Sequence, residues 1–147
     1  MKNNFEIRSP STSEEWKNYE NFRWEVLRKP LKMSHIPLQD NFEEISIHLM
    51  GITLKQKVIA CGRFHLNNPK QGQIRYMGVS KNIRRMGLGS LIVDRLETQA
   101  KVLGASSITL NARNVALNFY KSHGYETIES YQSDTNIPHT KMEKFLT

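Results

Sequence analysis

Between Ile83 and Ala100 the chain reads IRRMGLGSLIVDRLETQA, and this stretch limits the possible folds more than any other. Two glycines one residue apart weaken the interior of a strand or a helix. Behind them Leu88, Leu91, Ile92, Leu96, Val102 and Leu103 recur at helical spacing. The pattern predicts a loop that turns into a long amphipathic helix starting near Gly87 and closed by Gly104. The preceding QIRYMGVS reads as a strand that ends near Val79 or Ser80. A helix opened this way leaves its first amide N–H groups without intrahelical partners at the positive end of its dipole, which is a seat for an anion. Gly87 and Gly89 keep side chains out of that seat, and Arg84 and Arg85 add charge from the loop.

The rest of the chain supplies the frame. FEIRS is a short strand. Ser11 and Thr12, each followed three residues later by a glutamate (Glu14, Glu15), form a capping-box pattern. Trp16, Tyr19, Phe22, Val26 and Leu27 then mark a helix running to about Lys29 and stopped by Pro30. KPLKMSHIPLQDN reads as a loop, while EISIHLMGITL, KVIACGRFHL and QIRYMGVS read as an antiparallel meander with a turn at NNPKQG. SSITLNA is a buried strand, NVALNFYKSHG a short helix ending at Gly124, and YETIESYQ and HTKMEKFL are two final strands. The order β-α-β-β-β-α-β-α-β-β is that of an α+β or mixed α/β fold, and 147 residues without repeat or linker predict a single domain over 1–147.

Composition excludes several classes. No stretch is long enough for a membrane helix, and MKNNFEIRSP lacks the apolar core of a signal peptide, so the expectation is a cytoplasmic protein with no membrane partner. Cys61 is the only cysteine, which rules out an internal disulfide and a cysteine-based zinc site; it reads as a small apolar strand residue. His35, His48, His65 and His123 have no metal-ligand spacing, so no metal is expected. The net charge of +7 suits an anionic partner, but the basic residues are scattered and no recognition helix, ribonucleoprotein or zinc motif is present. A nucleic-acid partner is not expected, although a basic nucleic-acid-binding domain is the rival reading from a different class.

The anion seat is not that of a nucleoside triphosphatase, because Gly87 is followed by Leu88 where a G-K-[ST] ending is required. A dinucleotide fingerprint fails as well, since only G-L-G is present. What matches is R-x-x-G-x-G, carried by Arg84, Gly87 and Gly89 between a strand and a long helix. Here the chain resembles the GCN5-related N-acetyltransferases. QIRYMGVS is similar to the family's central strand, SSITLNARNVALNFYKSHGYE to its next strand and helix with an A-x-x-F-Y-x-x-x-G-Y ending, and IPHTKMEKFL to its last strand. FRWEVLRKPL is similar to the N-terminal helix pair of one bacterial branch, so the likeness covers nearly the whole chain in order.

The resemblance implies a mixed, mostly antiparallel central sheet flanked by helices, and transfer of an acetyl group from acetyl-CoA to a primary amine of a small molecule or peptide. It implies that Met77 and Val79 offer main-chain groups to the pantothenate arm, that Arg84, Arg85, Met86, Gly87, Leu88 and Gly89 hold the pyrophosphate, and that Asn111 and Asn114 touch the arm from its other side. Asn118 is a weaker candidate. Tyr120 stands where the family has its general acid; a phenol of reference pKa ~10 keeps its proton at neutral pH and can give it to a departing thiolate. On the residues alone, Leu117, Phe119 and Tyr120 read as the core face of a short helix. Some relatives place a glutamate base on the central strand, where this chain has Gln73; His139, Glu43, Glu44 and a water chain are the alternatives, with His139 the first to test. Trp24, Arg28 and His35 are possible acceptor contacts. The Gln73 departure keeps an acyl-CoA-binding sensor without turnover as a further alternative, and a homodimer stays open.

Overall fold

The computed structural model describes residues 4–33, 36–133 and 135–147, and for residues 84–86 the backbone alone. The elements are β1 (Phe5–Arg8), α1 (Ser13–Leu27), β2 (Ile47–Thr53), β3 (Val58–Asn68), β4 (Gln71–Val79), α2 (Leu88–Val102), β5 (Ser107–Arg113), α3 (Leu117–Ser122), β6 (Glu126–Tyr131) and β7 (His139–Phe145). The strands form one seven-stranded sheet in the order β1-β2-β3-β4-β5-β7-β6. Every pairing is antiparallel except β4 with β5. A parallel pair needs a crossover, and α2 supplies it.

Local chemistry explains the helix ends. Thr12 caps α1 by accepting from the Glu15 amide at 3.0 Å, and the Glu15 carboxylate accepts in return from the Ser11 amide at 2.9 Å. Two hydrogen bonds from Arg8, at 2.8 and 2.7 Å, hold the Glu15 carboxyl down to about 2. α1 stops at Leu27, two residues short of the predicted end, and Pro30 lies in a 3-10 turn over Lys29–Leu31. Pro30 has no N–H for the Val26 carbonyl and disfavours helical geometry at Lys29. α2 and α3 both end in a glycine with positive φ, Gly104 at 89° and Gly124 at 92°. In each the amide after the glycine reaches back five residues, Ala105 to Ala100 at 3.0 Å and Tyr125 to Tyr120 at 3.1 Å, closing a Schellman motif.

The sheet separates two cores. On one face Leu88, Ile92, Val93, Leu96 and Ala100 of α2 join Phe64, Ile74, Ile108 and Leu110 in the larger apolar cluster. The predicted α2 stripe needs correction here. Leu91, Val102 and Leu103 are exposed, while Val93 and the small Ala100 are buried, because the contact face follows the helix rotation rather than residue size. On the other face Tyr19 and Phe22 of α1 meet Met50, Ile52, Val58 and Cys61. The Trp16, Tyr19 and His48 rings meet edge to face there, with centroids 5.0 to 5.6 Å apart.

Candidate active site

The β4–β5 ladder is short. Only Gln71, Gly72 and Gln73 pair, with Ser107, Ile108 and Thr109. Beyond them β4 and β5 splay apart, and a cleft of about 660 Å³ opens, with walls from Ile74–Val79 of β4 and Leu110–Arg113 of β5. A bulge bends β4 at this point. Between the Cys61–Gly78 and Arg63–Arg75 pairs, β4 has one residue more than β3, and Tyr76 takes φ 56°, which an aromatic residue adopts only when its surroundings hold it there. The Cys61 thiol donates to the Tyr76 carbonyl at 3.2 Å. Full burial pushes that thiol up to about 12, so Cys61 is a strand residue and not a nucleophile.

One end of the cleft is the opening turn of α2. A 3-10 turn over Lys81–Met86 leads into it. A hydrogen bond from the Leu91 amide to the Gly87 carbonyl at 3.1 Å opens α2, and among the described residues no side chain caps it. Gly87 and Gly89 line the cleft, but for different reasons. Gly87 is left-handed at φ 80° with open space where a Cβ would stand, so its backbone angle requires glycine. A Cβ on Gly89 would lie 3.3 Å from the Phe119 ring, so the residue is small to let α3 close in. Uncapped helical amides beside a left-handed glycine fit a diphosphate. The neighbouring Ser90 hydroxyl, also on the cleft wall, is bonded to His123 Nε2 at 2.9 Å, which ties this turn to the end of α3.

Tyr120 and His139 both line the cleft. Tyr120 is 8% exposed and belongs to the α2-side core, so the core and cleft readings of this residue coincide. Burial raises its phenol well above the ordinary range, and it stays protonated at any working pH. The Schellman motif on its own carbonyl fixes its position. His139 opens β7 opposite Arg113 of β5. Its Nδ1 lies 2.6 Å from the Ile137 carbonyl, which can only accept, so the neutral ring carries its lone pair on Nε2.

The predicted residues divide as follows. Met77, Val79, Gly87, Gly89, Asn111 and Arg28 line the cleft with Tyr120 and His139. Leu88 is fully buried in the apolar core, which leaves its main chain as the only part able to meet a phosphate. Asn114 lies outside the lining and accepts from Thr140 at 2.7 Å. Asn118 is exposed and Trp24 covers Lys29, both off the cleft. The side chains of Arg84, Arg85 and Met86, and all of His35, lie outside the described residues. Gln73 sits at the last β4–β5 pair, below the opening, and accepts from Asn67 at 3.1 Å. Arg75, two residues further along β4, does line the cleft. Ser90, Arg75 and Arg113 escaped the sequence reading; the glycine-loop spacing covers the first, but the other two depend on strand splay.

Beside the cleft lies a half-buried polar cluster. The Asp40 carboxylate accepts from Arg63 at 2.9 and 2.8 Å and from Arg75 at 2.6 Å. The Glu43 carboxylate accepts from Arg23 at 2.7 and 3.2 Å and from Arg63 at 2.9 Å. Arg23 also donates to the Leu38 carbonyl. All three guanidiniums lie against the Tyr76 ring, 4.5 to 4.8 Å from its centroid. Despite the cost of burial, these hydrogen bonds hold both carboxyls below their ordinary range, so Glu43 is ill suited to be a base at neutral pH. Glu44 is exposed and does not line the cleft. Among the described residues no His, Cys, Asp or Glu cluster could hold a metal ion.

Comparison with known proteins agrees with this architecture. Residues 13–146 match the family model described as an acetyltransferase (GNAT) domain. The protein named uncharacterized N-acetyltransferase YjcF, from Bacillus subtilis strain 168, is 31% identical over 117 residues, covering 78% of this chain and 83% of the relative. A GNAT-family acetyltransferase structure from Staphylococcus aureus Mu50 superposes with a TM-score of 0.80 at 16% identity, covering 97% of this chain and 99% of that one. An acyl-CoA N-acyltransferase structure from Pseudomonas aeruginosa gives 0.77 at 22% identity, covering 95% and 97%. With the family model spanning almost the entire sequence, this chain belongs to the GNAT acetyltransferase family.

Proposed function

We propose that the chain, as a single cytoplasmic domain over residues 1–147, acetylates a primary amine of a small molecule or peptide, using acetyl-CoA as co-substrate and with direct attack by the amine in a ternary complex. The observation that carries this reading is the splay of β4 from β5 directly in front of the uncapped start of α2. The amides at Leu88, Gly89 and Ser90 and the basic turn before them would take the diphosphate, and the exposed edge of β4 around Met77 would take the arm. Asn111 would meet that arm from β5.

The co-substrate supplies an acyl group already activated as a thioester. The chain's own part is proton placement and the exclusion of water. An amine of reference pKa ~10.4 must lose a proton before it attacks. His139 Nε2, on the cleft wall with its lone pair free in the neutral ring, is the proposed acceptor. As the carbon–sulfur bond breaks, Tyr120 gives its proton to the leaving thiolate, and the buried phenol has not lost that proton beforehand.

The test is a set of three measurements. Acetyl-CoA at a hundredfold excess over Kd stabilises the fold by about 2.7 kcal/mol, a rise of roughly 5–10 °C in Tm. Tyr120→Phe lowers kcat by about a hundredfold or more with the acetyl-CoA Kd unchanged. Gly87→Glu abolishes binding, because it puts a side chain at φ 80° and a negative charge in the phosphate seat. No rise in Tm at millimolar acetyl-CoA overturns the reading. Thiol release absent across a broad amine panel, with the Tm rise intact, favours an acyl-CoA sensor.

A further inference from the structure

We propose that the acceptor carries an anionic group, a carboxylate or a phosphate, in addition to its amine, and that Arg75 receives it. The inference rests on the acyl-transfer reading above and names the class of acceptor.

Charge stoichiometry comes first. Arg23, Arg63 and Arg75 share two carboxylates, Asp40 and Glu43, in one connected network. The two histidines beside it do not change the sum. His48 accepts from the Tyr19 hydroxyl at Nδ1 (2.8 Å) and donates from Nε2 to the Glu43 carbonyl (2.8 Å). His65 accepts from Arg63 (3.2 Å) and donates to Asn67 (3.0 Å). Both bonding patterns are those of neutral rings, and burial also favours the uncharged form. Among the described residues the network therefore holds one more guanidinium than carboxylates.

Its location follows from exposure. The Arg23 and Arg63 side chains are 1% and 0% exposed, and both are held by carboxylates on two sides or by a carbonyl. Arg75 is 38% exposed, lines the cleft, and gives only Nη1 to Asp40. The rest of its guanidinium fork points no hydrogen bond at any described residue. Asp40 and the Tyr76 ring fix this fork before a ligand arrives, which lowers the cost of binding to it.

The cleft wall gives the second, independent observation. Arg75 and Arg113 both line it, and among its described lining residues there is no aspartate or glutamate. A polyamine or any other multiply cationic acceptor would bring like charge to the open side of Arg75, whereas an amine that also carries an anion offers that guanidinium a counter-charge. Arg75 precedes Met77 on β4 by two residues, so the anion would be bound alongside the proposed path of the pantothenate arm.

Matched acceptors test this with saturating acetyl-CoA: 4-aminobutanoate against its amide, O-phosphoethanolamine against ethanolamine, and 1,4-diaminobutane. We expect a carboxylate or phosphate member to exceed its neutral partner in kcat/KM by at least about tenfold, with the diamine lowest; the two pairs separate the two anions. Arg75→Gln should reduce the preference to about twofold with the acetyl-CoA Kd unchanged, and Arg75→Lys should keep part of it. Neutral amines or the diamine performing as well as the anionic ones overturns the proposal, as does a preference that persists in a folded Arg75→Gln protein. If none of the panel turns over, calorimetry on the CoA-saturated protein compares the N-acetyl products, and equal binding of acid and amide overturns it. Loss of acetyl-CoA binding itself is a distinct outcome, because it removes the parent reading and this proposal with it.

Discussion

The two faces of the sheet solve the same packing problem with opposite chemistry. Under α2 the contacts are aliphatic, with Ile92, Val93 and Leu96 fully buried against Phe64 and Ile108. Under α1 the deepest side chains include Arg23, Arg63, His48 and the Tyr19 hydroxyl. The α2 face needs only volume and shape. The α1 face needs every donor to find its acceptor, and the Nε atoms of Arg23 and Arg63 have no hydrogen-bond partner among the described residues. Such an arrangement costs stability relative to an apolar core, and it lies beside the cleft. The contrast suggests that the α2 face sets the frame while the α1 face is shaped for recognition.

The substitution with the largest expected effect attacks the α1 face at its centre. Arg63→Leu leaves Asp40 and Glu43 half-buried without their shared partner and should cost about 3–5 kcal/mol, lowering Tm by roughly 10 °C in a thermal melt. Leu96→Ala makes the corresponding cut on the α2 face and should cost about 3 kcal/mol. The two losses should differ in character. The Arg63→Leu loss should vary with pH, because it changes the carboxylates' surroundings, and the Leu96→Ala loss should not. An equal, pH-independent loss in both would break the contrast.

Acidification sharpens it next. His48 and His65 stay neutral in the fold, so below the reference histidine pKa of ~6.5 the unfolded chain binds protons that the folded chain refuses. Stability is therefore fully present above that pH and falls as pH drops through it. Asp40 and Glu43, held low by the arginines, add a second loss that begins near their ordinary pKa of ~4 and continues as pH falls through the folded values. Urea unfolding between pH 7 and pH 5 should reveal the first step alone, and a flat profile would remove the histidines from the account. The smallest effect is on the exposed rim of α2, where Val102 is 75% exposed and Val102→Gln should stay within about 0.5 kcal/mol.

Much of the frame was legible because its signals are local. Gly104 and Gly124 announce the ends of α2 and α3, Thr12 with Glu15 announces the start of α1, and Gly87 marks the start of α2. The order of all ten helices and strands follows from such marks and from hydrophobic period. What stayed hidden is nonlocal. Arg23, Asp40, Arg63 and Arg75 are spread over fifty residues and look like ordinary surface charges until β3, β4 and the loop before β2 are folded together. Nor does the sequence show that the β4–β5 ladder ends at Gln73, so that Arg75, two residues further on, lines the cleft. The packing demand on Gly89 is nonlocal too, because the Phe119 ring that a Cβ there would crowd comes from thirty residues further along the chain.

A sheet joined across its middle by three residue pairs behaves like a clothes peg. So few rungs resist opening only weakly, and the width of the jaws is set by the wedge of side chains beneath, where Ile74 and Leu110 share one cluster with Tyr120. Trimming Ile74 or Leu110 would alter the gape while leaving Tyr120 and His139 in place.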